Sequence, residues 1–231
     1  MNNVNYQKKL EEEIAKIITC KTRPKLLLHS CCAPCSSYCL VYLRKWFDIT
    51  CFYFNPNITE EEEYYKRVNE LYRLAASLND DPIYIDKGSD GVITFFEGDR
   101  DYLDTVGTIN VIESDFDPIT FKDRVTKANL CDAIEGGERC KMCFGMRLSE
   151  ALRVANEGQF DYFTTSLTIS PLKNAELLNT IGEELARNND GSASWLYSDF
   201  KKKNGYKIST QLSDRYSLYR QNYCGCEYSK R

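Results

Sequence analysis

Lys25-Leu26-Leu27-Leu28-His29-Ser30-Cys31-Cys32-Ala33-Pro34-Cys35 decides how the rest of this chain reads. The apolar run is short and continuous, which predicts a strand buried on both faces, as in a parallel sheet. Three thiols follow at once in a loop, and residues 36–46 then carry a helical pattern. A strand, loop and helix in that order put the loop at the carboxyl end of the strand, where open α/β sheets gather their chemistry.

The alternation extends outward from this unit. Upstream, Leu10, Ile14, Ile17 and Ile18 stand at helical spacing, so a surface helix precedes the core. Downstream, residues 49–54 predict a second strand and Asn55-Pro56-Asn57 turns the chain. Thr59 with Glu62 has the spacing of a capping box, opening a helix that buries Tyr64, Val68, Leu71, Tyr72, Ala75 and Leu78. Ile83-Tyr84-Ile85 is a third strand candidate, and residues 88–107 are loop-rich. A helix follows Pro118 on Phe121, Val125 and Ala128; Gly136-Gly137 breaks it. Leu148, Ala151, Leu152 and Ala155 mark another helix, closed by Gly158, which puts Cys143 near a helix N-terminus. Residues 160–167 predict a fourth strand, and Ser170-Pro171 starts a helix carrying Leu178, Ile181 and Leu185. The pattern predicts a three-layer α/β domain with a mostly parallel sheet and added helices. Residues 1–23 form an N-terminal helical extension and 24–231 a single domain.

With 42% hydrophobic residues, the 231-residue chain has enough apolar side chains for one full core. No apolar run approaches the roughly 18 residues of a membrane span, and residues 1–13 lack the apolar stretch of a signal peptide. The expected location is cytoplasmic, with no membrane partner. Cysteines there stay reduced unless they are catalytic or metal-bound, so eleven of them point to metal or redox chemistry.

The formal net charge of −4 argues against a general nucleic-acid binder, but it is unevenly spread. Residues 191–231 hold eight basic side chains (Lys201, Lys202, Lys203, Lys207, Arg215, Arg220, Lys230, Arg231) against Asp199, Asp214 and Glu227, a net +5. Tyr206, Tyr216, Tyr219, Tyr223 and Tyr228 interleave them. Such a segment either contacts phosphates and stacks on bases or forms a solvated face with half-buried tyrosines.

The thiols allow three assignments. Cys32-x-x-Cys35 with Cys140-x-x-Cys143 has the spacing of a four-cysteine zinc site. Cys31, Cys32, Cys140 and Cys143 are a candidate set for an iron-sulfur cluster. Buried inert thiols describe Cys20, Cys51 and Cys131 better than the clustered ones. Cys224-Gly225-Cys226 stands apart: a one-residue spacer closes a small strained disulfide, the labile kind that cycles as a two-electron carrier. Residues 30–37 contain no glycine, so a phosphate cradle is disfavoured after the first strand.

Six spaced motifs together resemble the cobalamin-independent epoxyqueuosine reductases of the QueH type. They are His29-Ser-Cys-Cys-Ala-Pro-Cys35; Phe54-Asn-Pro-Asn-Ile58 with Glu63-Tyr64 and Arg67; Gly137-Glu-Arg-Cys-Lys-Met-Cys143 with Arg147-Leu148; Phe163-Thr-Thr-Ser-Leu167 with Ile169-Ser-Pro-Leu-Lys173; Asp199-Phe-Lys-Lys202 with Gly205-Tyr206; and Tyr219-Arg-Gln-Asn-Tyr-Cys-Gly-Cys226. They run in the family's order, and residues 1–23 lie outside the resemblance.

The resemblance implies a Rossmann-like fold of the nucleotide alpha-hydrolase-like kind. It implies reduction of the epoxide of epoxyqueuosine at the tRNA wobble position to queuosine and water, the last step of that modification. It also implies a [4Fe-4S] cluster on Cys31, Cys32, Cys140 and Cys143, and a redox-active Cys224/Cys226 pair reset by an external electron donor. A second adjacent metal ion, iron, is associated with the family, with Cys35 a candidate ligand. His29 and Asp199 are candidate proton donors, and an anticodon loop becomes the expected partner of the basic, aromatic segment. Two rival classes share the thiols. A tRNA sulfur-insertion enzyme would need a glycine-rich ATP loop, and a non-catalytic zinc protein would leave Cys31 spare.

Overall fold

The computed structural model describes residues 4–87 and 93–230. Its elements run α1 (Tyr6–Cys20), β1 (Lys25–His29), α2 (Ala33–Leu43), β2 (Asp48–Tyr53), α3 (Glu61–Asp80), β3 (Ile83–Lys87), β4 (Ile93–Glu97), α4 (Arg100–Thr105), β5 (Asn110–Glu113), α5 (Pro118–Lys127), α6 (Glu138–Glu157), β6 (Tyr162–Thr165), α7 (Ala175–Arg187), β7 (Ser194–Trp195) and α8 (Gly205–Arg215). Short 3-10 turns span Ser166–Ile169 and Glu227–Ser229.

Five strands form one sheet in the order β5-β2-β1-β6-β7, and every pairing in it is parallel. The triple leucine shows why β1 is central. Leu26 and Leu28 enter one core with Leu10, Ile14, Leu40, Leu71 and Leu212, while Leu27 enters the other with Leu148, Phe163 and Leu178. Successive side chains of a strand alternate faces, so a continuous apolar run suits a strand covered on both sides. One face carries α1, α2, α3 and α8, the other α6 and α7, giving the expected three-layer, Rossmann-like α/β arrangement. The chain leaves β1 toward β2 and β5 on one side and builds β6 and β7 on the other. The crevice between β1 and β6 is thus the topological switch point.

Several boundaries depart from the sequence reading. The third strand candidate, Ile83–Lys87, pairs antiparallel with Ile93–Glu97 in a separate two-stranded ribbon, and Asn110–Glu113 takes the sheet edge instead. The stretch read as loop-rich therefore contains β4 and α4; residues 88–92 of it lie outside the described residues. The Thr59/Glu62 box does not form, since α3 begins after Glu60 without a side-chain cap. Glu61, Glu62 and Glu63 in its first turn stabilise that end through the helix dipole instead. Ser170-Pro171 makes a turn, and α7 begins after Asn174, whose side chain caps Leu177 N–H at 3.1 Å. Ile18 and Tyr72, read as inward-facing, are exposed. No helix among the described residues is long and apolar enough to cross a membrane.

Candidate metal and thiol site

The loops after β1, β2 and β6 meet at the carboxyl edge of the sheet, as the switch-point rule requires. After β1, the chain enters α2 with Cys32 as N-cap and Pro34 in the first turn, so Cys31, Cys32 and Cys35 cluster at the positive end of that helix. Their sulfur atoms all lie within 4.8 Å of one another, with Cys31 and Cys32 Sγ 3.8 Å apart. Cys31 is held well below the usual thiol range. Cys32 and Cys35 donate to its sulfur, and the Arg147 charge and the Ser166 hydroxyl, 3.6 Å away, assist. The same sharing pushes Cys35 well above that range. One thiolate flanked by two thiols is what three close sulfurs adopt without a cation, and metal binding would release the remaining protons.

The second cysteine pair opens α6. Gly137 is its N-cap, so Cys140 falls in the first turn and Cys143 in the second, as the sequence reading placed them. Gly136, at φ +88°, aims its N–H at Cys140 Sγ over 3.2 Å. Cys143 is buried, and burial pushes its thiol up to about 12. Neither belongs to the tight triad, in which Cys35 joins Cys31 and Cys32.

The C-terminal segment supplies the third group. Arg67 on α3, buried and paired with Glu63 at 2.6 Å, donates to the carbonyls of Cys224 (3.1 Å) and Tyr223 (3.4 Å). Asn57, from the turn after β2, donates to the Cys224 carbonyl at 3.3 Å, and Thr59 N–H reaches the Gly225 carbonyl. These contacts seat Cys224 in the wall of a cavity of about 450 Å³ that Cys31, Cys35, Arg147, Lys173 and Tyr223 also line. Cys226 turns away into a small apolar cluster with Phe121, Val125, Cys143 and Met146. All eleven cysteines are free thiols.

A buried cation, Arg147, and a half-buried one, Lys173, organise the charge. Arg147 is 1% exposed and has no salt bridge among the described residues; it donates to His29 Nε2 at 3.3 Å and to Asn55 Oδ1. Burial lowers its pKa, yet the nearby charges of Cys143, Cys31 and Cys224 outweigh that and raise it. Lys173, in the turn before α7, behaves alike: burial pulls it down, while Cys224 and Cys140 push it above the ordinary value. A buried cation must be compensated, and here the compensating groups are sulfurs. The donor set fits a thiolate-bound metal centre on three counts. Three sulfurs lie within reach of one ion, Arg147 faces thiols with no carboxylate partner, and Gln221 Oε1 is a buried acceptor without one.

His29 is fully buried at the end of β1, with Nδ1 2.8 Å from Thr165 Oγ1 and Nε2 3.1 Å from the Phe54 carbonyl. Burial and the Arg147 charge push it down to about 3, so the imidazole is neutral. It does not line the cavity. Asp199 lies elsewhere, in a second cavity with Tyr6, Glu176 and Lys202, and bonds Lys201 at 2.8 Å. Of the thiols read as inert, Cys51 is buried but Cys20 and Cys131 are exposed. Lys173 was singled out by no property of the sequence beyond its place in a shared motif; a lysine in a turn gives no sign of being enclosed.

Comparison with known proteins agrees with this geometry. The family model described as epoxyqueuosine reductase QueH matches residues 26–231. A Staphylococcus epidermidis protein of that name is 34% identical over 226 residues, covering 98% of this chain and 84% of its own length. The Staphylococcus aureus protein of the same name is 35% identical with the same coverage, and the Streptococcus pyogenes one 34% identical over 227 residues, covering 98% and 78%. The match begins one residue into β1 and takes in every clustered thiol from Cys31 to Cys226, so the chain belongs to the epoxyqueuosine reductase QueH family.

Proposed function

We propose that this protein reduces the epoxide of epoxyqueuosine in tRNA to give queuosine, in the cytoplasm, as a cysteine-based oxidoreductase. The observation that carries the reading is one cavity lined by Cys31 and Cys35 from the loop after β1 and by Cys224 from the C-terminal segment, with Arg147 of α6 and Lys173 in its wall. Residues 24–231 act as the catalytic domain, and 1–23 as an extension whose Leu10, Ile14 and Ile17 pack into the main core.

Cys31, Cys32, Cys140 and Cys143 would hold a [4Fe-4S] cluster, and Cys35, close to Cys31 and Cys32, is positioned to help hold a second iron. When bound, these groups supply one-electron transfer and a Lewis acid toward the epoxide oxygen. The chain itself supplies the rest. Opening the epoxide to an alkene needs two electrons and two protons and releases water; oxidation of the Cys224/Cys226 dithiol to a disulfide provides two of each, so the sum balances. An external reductant then resets the pair. Arg147 and Lys173, both in the cavity wall, stabilise negative charge developing on oxygen or sulfur. His29, neutral, is bonded through Nδ1 to Thr165, which ties β1 to β6, while Nε2 accepts from Arg147 of α6.

The test is iron and sulfide content with a visible spectrum on protein purified without oxygen, followed by turnover on tRNA carrying epoxyqueuosine. About four irons and four sulfides per chain from the cluster, lost in Cys140→Ser, with about one further iron for the second site and conversion to queuosine, is the expected outcome. One zinc, no sulfide and no turnover after iron-sulfide reconstitution would overturn it.

A further inference from the structure

The Cys224-Gly225-Cys226 turn is asymmetric. Cys224 lines the cavity, whereas Cys226 is buried in apolar surroundings among Phe121, Val125 and Met146. Lys173 Nζ stands 3.6 Å from Cys224 Sγ, and Asn57 Nδ2 is a second donor at 3.9 Å. The lysine is held there by its backbone: Lys173 N–H bonds the Ser170 carbonyl at 3.1 Å, closing the turn that delays α7 until Ala175. It forms no salt bridge among the described residues. Glu135 shares the cavity wall and is the acid whose charge it feels, after those of Cys224 and Cys140.

We propose that Lys173 is the positioning residue that makes Cys224, and not Cys226, the reactive thiol of the pair. The proposal deepens the dithiol reading above and rests on it. An ammonium beside a sulfur favours thiolate over thiol, and the thiolate is the nucleophile. Cys224 meets a reagent in the cavity with this ammonium at its sulfur, and its S–H proton passes to cavity water as it reacts. Cys226 is enclosed by Phe121, Val125, Cys143 and Met146, away from the cavity wall.

The test is alkylation of the full-length, reduced chain by iodoacetamide without oxygen at neutral pH, with labelled sites timed by mass spectrometry. Each event forms an S–C bond and releases iodide. Cys224 labels before Cys226 in the unaltered protein. Lys173→Met slows Cys224 labelling by about tenfold. Lys173→Arg restores most of the rate, and exposed Cys20 labels equally in all three. Should the methionine disturb folding, shown by faster labelling of buried Cys51, Lys173→Gln takes its place. Cys226 labelling first, or an unchanged Cys224 rate in a folded variant lacking the ammonium, overturns the proposal. Labelling needs no tRNA, so its failure is separate from failure of the reductase reading. The latter appears as absent turnover in a chain whose Cys224 still labels first.

Discussion

Arg147 brings a full positive charge into a place where water cannot reach it, and its hydrogen-bond partners, His29 and Asn55, are neutral. Its neighbours are the sulfurs of Cys143, Cys31 and Cys224, of which Cys31 is held low, so it belongs to the site even though no sulfur ligand set includes it. Arg147→Met should therefore weaken binding of Co²⁺, used as a thiolate-seeking probe and followed by its charge-transfer absorption, by about 10–100-fold. Arg147→Lys keeps the charge but loses the fork that reaches Asn55 and His29, and falls between. Equal affinity in all three proteins would show that the charge is compensated elsewhere. His29 gives a second residue-scale expectation. Its folded pKa of about 3 lies below the reference 6.5, so the unfolded chain binds the proton more readily. Metal-free protein then loses stability as pH falls from 6.5 toward 3, with a contribution from this one residue of about 1.4 kcal/mol per pH unit. Urea unfolding across that range should be less pH-dependent in His29→Gln; equal slopes would mean the imidazole is not the group responsible. The sequence showed a histidine at a strand end, where capping and catalysis look alike. Only enclosure by Thr165, Phe54 and Arg147 separates them, and enclosure is a property of three distant segments.

Elements were legible to the degree that their own side chains dictate them. The triple leucine foretold a strand buried on both faces because alternation is built into a strand, and α6 was placed by its apolar stripe and its closing Gly158. What failed was partnership. Ile83–Lys87 has the composition of a strand, but nothing in it states that its neighbour is β4 and not the main sheet. Start signals failed for a related reason. Thr59, expected as a cap, has its N–H directed to Gly225 in the C-terminal segment, and Ser170-Pro171 was claimed by the turn that presents Lys173. The Cys224-Gly225-Cys226 turn, whose two thiols are free, depends on its glycine. Gly225 sits at φ +96°, and a Cβ there would lie 2.6 Å from Ile58 Cγ1 and 3.2 Å from Arg67 Nη1. Gly225→Ala should cost about 1–2 kcal/mol from the backbone alone and move both sulfurs. Thermal unfolding measures the first. The second shows as slower closure of the 224–226 disulfide on mild oxidation, and closure at the original rate would mean that the turn tolerates the strain.

At the scale of the whole molecule, the basic C-terminal region is a strap more than a free surface. Arg215 pairs with Asp81 and Glu97, Lys203 with Glu11, Lys201 with Asp199 and Lys230 with Glu60, while Arg231 lies outside the described residues. Four of its tyrosines are likewise engaged: Tyr216 donates to Asp81, Tyr219 to Glu63 and Tyr223 to Glu60, and Tyr228 lies against Arg139. Composition showed the +5 excess but not that half of the basic side chains face acids, on α1, at the two caps of α3, on β4 and within the segment itself, since charge counts carry no positions. Lys202 and Lys207 are exposed and have no salt bridge among the described residues; Lys207 adjoins Tyr206, the exposed ring at the cavity wall. If a single-stranded RNA loop enters that cavity, these two lysines and not the paired ones should meet its phosphates. Replacing both by Gln should reduce the slope of log affinity against log salt by about 0.7 per lost phosphate contact, with little change in thermal stability. Lys203→Gln, which breaks the tie to α1, should do the reverse, leaving the salt slope nearly intact while lowering the unfolding temperature. Filter-binding titrations of tRNA across a salt series, run beside thermal melts, separate the two. A larger slope change from Lys203 than from Lys202 and Lys207 would mean that the strap opens on binding, and that the ion pairs found in the free protein are exchanged for phosphates.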